Sequence, residues 1–288
     1  MKQIGFIVGT GRCGTTILGQ VLNSHSKICV PHELQIIVSI DNGDRLYDKY
    51  VKGELKSFGP DDFIRLIDSC CPYYFERYFD YVAHFRSLSY PQTDVRQILV
   101  DLFDHICFSY RKEIFLEQTP WYGQRLDILR NLFPEMKIIH VVRDGRDVAI
   151  SFSKTPWWSK DIGENLLRWK DEVNVIHDFV KKNPVNFLEI RYEDLVSNPV
   201  TVLGKVLSLF GVQFEKELLD PKKLIDYASM FRGKFEEYQS SENKKWDRDR
   251  NTVFFTGSIG AWKRQKGYNF DGLPMEVRQT LKAFNYET

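Results

Sequence analysis

The stretch that most constrains the fold is the first sixteen residues. Ile4, Phe6, Ile7 and Val8 form a short apolar run with the character of a buried strand. It breaks abruptly into Gly9-Thr10-Gly11-Arg12-Cys13-Gly14-Thr15-Thr16 before helical spacing begins at Ile17. A glycine-rich turn between a strand and a helix reads as a phosphate loop. Its glycines let successive backbone N–H groups turn toward an anion, and the start of the helix adds unpaired donors and a positive dipole end. Thr15 and Thr16 supply two hydroxyls at the same point. The competing reading, for this stretch taken alone, is a turn with no ligand.

Gly9, Gly14 and Thr16 stand where the G-x-x-x-x-G-K-[ST] loop of nucleotide-binding proteins has its glycines and hydroxyl. The lysine of that pattern is absent: position 15 is Thr, and the cation in the loop is Arg12. A nucleoside triphosphate with its magnesium therefore fits poorly, and an anion that needs no metal fits well.

Composition narrows the partners. The 288 residues are 27% charged and 43% hydrophobic, an ordinary globular balance, and long enough for a sizeable core. Forty cations against thirty-nine anions leave a formal charge of +1, which gives no general attraction to nucleic acid. No apolar stretch approaches the roughly 18–20 residues that cross a bilayer. Met1-Lys2-Gln3 runs straight into the first strand, leaving no room for a cleavable signal. Five cysteines without C-x-x-C spacing suit reduced thiols, so the expected location is cytoplasmic. Cys70-Cys71 reads as two buried thiols in preference to a vicinal redox pair. Cys13, inside the loop, reads as a small side chain that fits there, with a depressed thiol pKa as the alternative.

Along the chain, strand and helix patterns alternate, which predicts an α/β, P-loop-type three-layer fold with a central parallel sheet in one domain over 1–288. Lys27–Val30 is the second strand and closes in Pro31-His32-Glu33. From about 34 to 112 the alternation is interrupted by an inserted helical cap. Phe63, Leu66 and Ile67 share a face there, and Ile98, Leu99, Leu102, Phe103, Ile106 and Cys107 form a longer stripe. Tyr73, Tyr74, Phe75, Tyr78, Phe79, Tyr81 and Phe85 cluster in the same insertion and read first as core, second as the wall of an acceptor pocket. Ile114–Glu117 returns to strand and runs into Gln118-Thr119-Pro120. Lys137–Val142 is the clearest buried strand. It ends in Arg143-Asp144-Gly145-Arg146-Asp147, where Asp147 is positioned to cap the helix Val148–Phe152. A long amphipathic helix, a strand to Ile190 ending in Arg191-Tyr192-Glu193-Asp194-Leu195, and a helix from Val200 to Phe210 follow. Residues 231–256 are strongly polar and read as a mobile surface segment. Gly257-Ser258-Ile259-Gly260-Ala261-Trp262-Lys263 comes last.

With loop, Arg-to-Ser element, Tyr-Glu-Asp-Leu and the late Gly-x-x-Gly-x-Trp-Lys in order, the chain resembles the sulfotransferases that use 3′-phosphoadenosine 5′-phosphosulfate. It is more similar to the bacterial, carbohydrate and tyrosyl-protein branches, whose loop carries Arg, than to the cytosolic phenol and steroid branch, whose loop carries Lys. The resemblance implies that Arg12, Cys13, Gly14, Thr15 and Thr16 hold the 5′-phosphosulfate, without a metal, and that Arg143 and Ser151 hold the 3′-phosphate. Both of the latter can face one anion from the start of a single helix; an Arg143 ion pair with Asp144 or Asp147 is the structural alternative. Tyr192, Gly260, Trp262 and Lys263 match further nucleotide contacts, with a core role for Tyr192 as the competing reading.

Sulfuryl transfer needs a base for the acceptor hydroxyl. The cytosolic branch uses a histidine after the third strand, in a Lys-Thr-His-type segment, but here that segment is Gln118-Thr119-Pro120. Pro31-His32-Glu33-Leu34 resembles instead the Pro-x-Glu segment of the Arg-loop branches, which makes Glu33 the expected base and His32 the second candidate. Adjacent side chains on an extended segment point opposite ways, so one of the two serves. The implied acceptor is a small-molecule, lipid-like or glycan hydroxyl. Two other classes compete: a P-loop small-molecule or nucleotide kinase, and a non-catalytic module that binds adenosine 3′,5′-bisphosphate.

Overall fold

The structure is a computed structural model that describes residues 1–31, 33–39, 45–70, 80–88, 94–183, 186–224 and 253–286. Among these, five strands form one sheet in the order β2-β3-β1-β4-β5. They are β1 Gln3–Gly9, β2 Ile28–Cys29, β3 Ile114–Glu117, β4 Lys137–Val142 and β5 Phe187–Arg191. Every pairing is parallel, with Phe6 of β1 opposite Glu117 of β3 on one side and Ile138 of β4 on the other. The chain takes β2 and β3 to one side of β1 and β4 and β5 to the other. The carboxyl end of β1 therefore opens into the crevice where parallel sheets place ligands.

Both faces of the sheet are covered, which is why its strands are continuous apolar runs. Alternation along β1 sends Phe6 and Val8 into a cluster with Phe103, Phe115, Tyr122 and Leu129, and Ile7 into another with Leu18, Val21, Val206 and Leu207. The helix after the loop, α1 (Thr15–Asn23), belongs to the second. Between β2 and β3 come α2 (Leu46–Val51), α3 (Pro60–Cys70), α4 (Tyr81–Ser87) and α5 (Val95–Ser109). Asp80 and Asp94 cap the last two, each accepting backbone N–H bonds. The apolar stripe of α5 is buried in full and shares the Phe6 cluster, so the inserted helices and that sheet face have a common core.

After β3 come a 3-10 turn, Pro120–Arg125, and α6 (Leu126–Leu132). Beyond β4 lie α7 (Gly145–Ser153) and α8 (Ile162–Lys182), and beyond β5 α9 (Tyr192–Ser197) and α10 (Pro199–Phe210). With α11 (Met275–Ala283) the helices α7 and α8 build a third cluster around Trp169.

Two expectations change. The cap of α7 is Asp144 and not Asp147: Asp144 accepts the Arg146 N–H at 2.9 Å, and Asp147 is drawn away to other partners described below. The second strand is shorter than Lys27–Val30. Of the insertion's aromatics, Tyr81 and Phe85 are buried as core, whereas Tyr73, Tyr74, Phe75, Tyr78 and Phe79 lie outside the described residues, as do Cys71 and most of the polar stretch 231–256. No described helix is long and apolar enough to cross a membrane.

Candidate active site

The loop leaves β1 in a curl. Gly11, Arg12 and Gly14 all have positive φ, +71°, +54° and +100°. Gly14 occupies the N-cap position of α1, and no side chain caps that helix, so its first N–H groups face the loop. A Cβ at Gly14 would stand 2.4 Å from Cδ2 of Tyr192, so glycine is required there both for its φ and for space. Arg12, with a side chain, holds the left-handed region at a cost of roughly 1–2 kcal/mol. Its Nε donates to Ser151 Oγ at 2.9 Å, across the crevice on α7. Thr15 is buried and Thr16 half-buried at the start of α1. Cys13 is fully buried and burial pushes its thiol up from the ordinary value, which disposes of a reactive thiolate. Its side chain fills the space beneath Gly9, leaving its backbone as the part that can meet an anion.

Arg143, at the end of β4, joins three segments. Nη1 donates to the Arg12 carbonyl at 3.0 Å and Nη2 to the Ser258 carbonyl at 2.9 Å, and the guanidinium lies 4.5 Å over the Tyr192 ring. Asp147 is 4.0 Å from Nη2, and Asp144 pairs with Arg146 instead. Among the described residues, Arg143 Nε is buried without a hydrogen-bond partner. An uncapped helix start, a left-handed loop and a buried donor with nothing to bond are the features a doubly phosphorylated nucleotide would satisfy. The residues present fit the group.

The late segment docks on α7. Asp147 accepts the N–H of Gly260 at 2.8 Å and of Trp262 at 2.9 Å, and Tyr192 Oη shares a hydrogen bond with Ser258 Oγ at 2.7 Å. The Trp262 ring is stacked by the Arg146 guanidinium at 3.8 Å, and Lys263 is exposed beside it. Gly260 and Trp262 thus meet the site through their backbone, and Tyr192 serves as the floor under Gly14.

The end of β2 supplies a carboxylate. Glu33 is half-buried: densely surrounded by protein, yet open to solvent on one side. Burial pushes its pKa up to about 7, against the Gln35 and Gln118 amides and the Arg12 guanidinium, all of which favour the anion. Gln35 Nε2 donates to it at 3.1 Å. Gln118 is fully buried and near enough to favour the anion, although its amide falls short of hydrogen-bond geometry with any described residue. Arg12 therefore faces Ser151, and its charge reaches Glu33. His32 lies outside the described residues.

Comparison with known proteins gives this site a family. A model described as "Sulfotransferase family" matches residues 6–216. The chain belongs to the sulfotransferase family. The chain is 28% identical over 262 residues to an uncharacterized protein of Aquifex aeolicus (86% of this chain, 31% of that protein). It is 26% identical over 130 residues to the omega-hydroxy-beta-dihydromenaquinone-9 sulfotransferase Stf3 of Mycobacterium tuberculosis (41% of this chain, 33% of that protein). The chain thus spans about a third of the length of these relatives. Its fold is similar to the sulfotransferase domain from the Synechococcus PCC 7002 olefin synthase, with TM-score 0.66 at 21% identity, covering 100% of this chain and 97% of that one.

The crevice brings together Arg12, Ser151 and Arg143, and the Arg12 charge reaches Glu33. It leaves the Lys263 side chain outside. Sequence reasoning missed Asp147 as the dock for the late segment, Ser258 as an Arg143 partner, and Glu117. That last carboxyl, at the end of β3, is fully buried with three donors on it. An acidic residue closing an apolar strand was the signal available for it.

Proposed function

We propose that this chain moves a sulfuryl group from 3′-phosphoadenosine 5′-phosphosulfate to an acceptor hydroxyl. The observation that carries the reading is the bond from Arg12 on the glycine loop to Ser151, with a carboxylate poised near neutrality, Glu33, close enough to feel the Arg12 charge. The donor supplies an activated sulfuryl group on a phosphate that can leave. The N–H groups at the start of α1, with Thr15 and Thr16, bind that phosphate, and the Arg12 guanidinium offsets the charge that grows on it. Arg143 Nε and the Ser151 hydroxyl bind the 3′-phosphate. Glu33 takes the proton from the acceptor oxygen as that oxygen attacks sulfur.

The same geometry supports an acceptor that reaches Glu33 from its solvent-open side. The mycobacterial relative, an omega-hydroxy-beta-dihydromenaquinone-9 sulfotransferase, favours a lipid-like or small-molecule alcohol. Family membership argues against the kinase alternative, and the non-catalytic alternative is separated by experiment. A panel of phenols, long-chain alcohols and glycans is incubated with the donor, and the products are weighed for an added sulfate. Glu33→Gln is expected to lose turnover on the order of 10²–10⁴-fold, with adenosine 3′,5′-bisphosphate affinity by calorimetry unchanged. In the unaltered chain, turnover falls as pH drops below about 7, because the base must be ionised. Full turnover by Glu33→Gln removes Glu33 from the mechanism; no sulfated product from any acceptor class supports the non-catalytic module.

A further inference from the structure

Glu117 closes β3 with a carboxylate that no solvent reaches. A buried charge is costly unless every lone pair is engaged, and here the donors come from two segments. Oε1 accepts the Leu34 N–H at 3.1 Å and the Thr119 hydroxyl at 2.7 Å; Oε2 accepts the Thr119 N–H at 2.8 Å. Leu34 immediately follows Glu33, so one of these bonds fixes the peptide unit that aims the base.

The rest of the segment is held by the same stretch of chain. Ile37 N–H donates to Tyr122 Oη at 2.9 Å, and the Ser39 carbonyl accepts Arg125 Nη1 at 3.0 Å. Both partners lie on the 3-10 turn that leaves β3. The loop carrying Glu33 has no regular secondary structure between 33 and 36, and Gln35 within it has φ +52°. Its conformation is therefore imposed from outside, and Glu117 is the anchor next to the reacting group.

We propose that Glu117 is the positioning residue for the base: its carboxylate, fixed by Thr119, holds the Leu34 N–H and so sets where the Glu33 carboxylate stands. It touches neither the nucleotide nor the acceptor. The inference rests on Glu33 being the base. Among the described residues, Arg12 from the loop, Gln35 from its own segment and Gln118 from the end of β3 favour the Glu33 anion, and burial opposes it. The Glu33 charge in turn helps to raise Glu117.

The test compares the unaltered chain with Glu117→Gln, Thr119→Val and Glu33→Gln, each labelled with 13C at the glutamate carboxyl. The resonance lost in Glu33→Gln identifies Glu33. In Glu117→Gln one of the two oxygens becomes an NH2 group that cannot accept, so the Leu34 and Thr119 N–H groups can no longer both be satisfied while the volume is kept. Expected are faster exchange of the Leu34 amide, a Glu33 midpoint displaced from about 7, and turnover reduced on the order of a hundredfold, the cost of a misplaced catalytic group. Adenosine 3′,5′-bisphosphate affinity, read by calorimetry, stays unchanged. Thr119→Val removes one of three donors, is expected to fold, and gives the same changes in smaller measure, so it decides the matter if Glu117→Gln does not fold. An unchanged Leu34 exchange rate and turnover in the folded variant overturn the proposal, as does loss of nucleotide affinity with an unchanged Glu33 midpoint, which marks Glu117 as a plain fold element. If Glu33→Gln keeps its turnover, the base assignment falls and this proposal with it. If Glu33→Gln is inactive and Glu117→Gln is normal, the positioning role alone falls.

Discussion

At position 14 the loop has room for a hydrogen atom and nothing larger. A methyl group there would meet the Tyr192 ring at 2.4 Å, with φ at +100°. The left-handed backbone alone costs an L-residue about 1–2 kcal/mol, and the contact adds to it, because Tyr192 is held by Ser258 and by the Arg143 guanidinium. Gly14→Ala is therefore expected to lower the melting temperature and to weaken adenosine 3′,5′-bisphosphate binding by tenfold or more, the factor that about 1.4 kcal/mol produces. Calorimetry at constant pH reads it, and an unchanged affinity would mean that the loop backbone does not hold the phosphate. Residues 12 and 14 thus have opposite needs. Gly14 is glycine because nothing else fits; Arg12 tolerates the same unusual backbone region because its side chain is what faces Ser151, and its charge reaches Glu33.

At the scale of elements, the segment 253–264 has little regular structure and depends on α7 for its place. Its attachment is Asp147, turned inward from the first turn of α7 to accept the N–H groups of Gly260 and Trp262, with Arg146 stacked on the Trp262 ring. The Ser258 carbonyl in turn accepts from Arg143. Hydrogen bonds to a charged acceptor contribute about 1.5–3 kcal/mol each, so Asp147→Ala should release the segment while α7, capped by Asp144, remains. The expected result is rapid hydrogen exchange at Gly260 and Trp262 with retained protection in β1 and β4, and weaker nucleotide binding. Retained protection at both amides in the variant would show that Asp147 is not the dock. The sequence pattern points to Asp147 as the cap, where Asp144 takes that place, for a physical reason. Either aspartate satisfies a capping pattern, and only the approach of a segment more than a hundred residues away gives Asp147 the better offer.

At the scale of the whole molecule, two strand ends each carry a carboxyl whose pKa is raised by burial, Glu33 to about 7 and Glu117 to about 8. Both exceed the ordinary value of 4.5. A carboxyl that ionises less readily when folded leaves stability intact below its unfolded value, and that stability is lost as pH rises through the folded one. Glu33→Gln removes one such group. Its melting temperature relative to the unaltered chain should therefore rise between pH 5 and pH 8.5, and a constant difference across that range would show that Glu33 is not perturbed. With Glu33 as the proposed base, activity and stability oppose each other at this residue. The strand order follows the same division between local and global. The apolar runs Ile4–Val8, Ile114–Leu116 and Lys137–Val142 declare buried strands, the glycines of residues 9–14 declare a tight loop, and the interval from Arg143 to Ser151 puts one residue just before α7 and the other in its last turn. Those features are local: they depend on side-chain period and backbone freedom, which neighbours in sequence determine. Tyr192 under Gly14, Asp147 under Trp262 and Glu117 behind Glu33 are contacts between segments far apart in the chain. A buried carboxylate can be satisfied by any backbone N–H that packing brings to it, and no local pattern says which. The sequence by itself determined the sheet and the glycine-rich loop between β1 and α1, because both follow from local pattern; the tertiary structure alone decided which carboxylate accepts from Leu34 and Thr119, which accepts from Gly260 and Trp262, and which stays partly exposed, because those partners lie far apart in the chain.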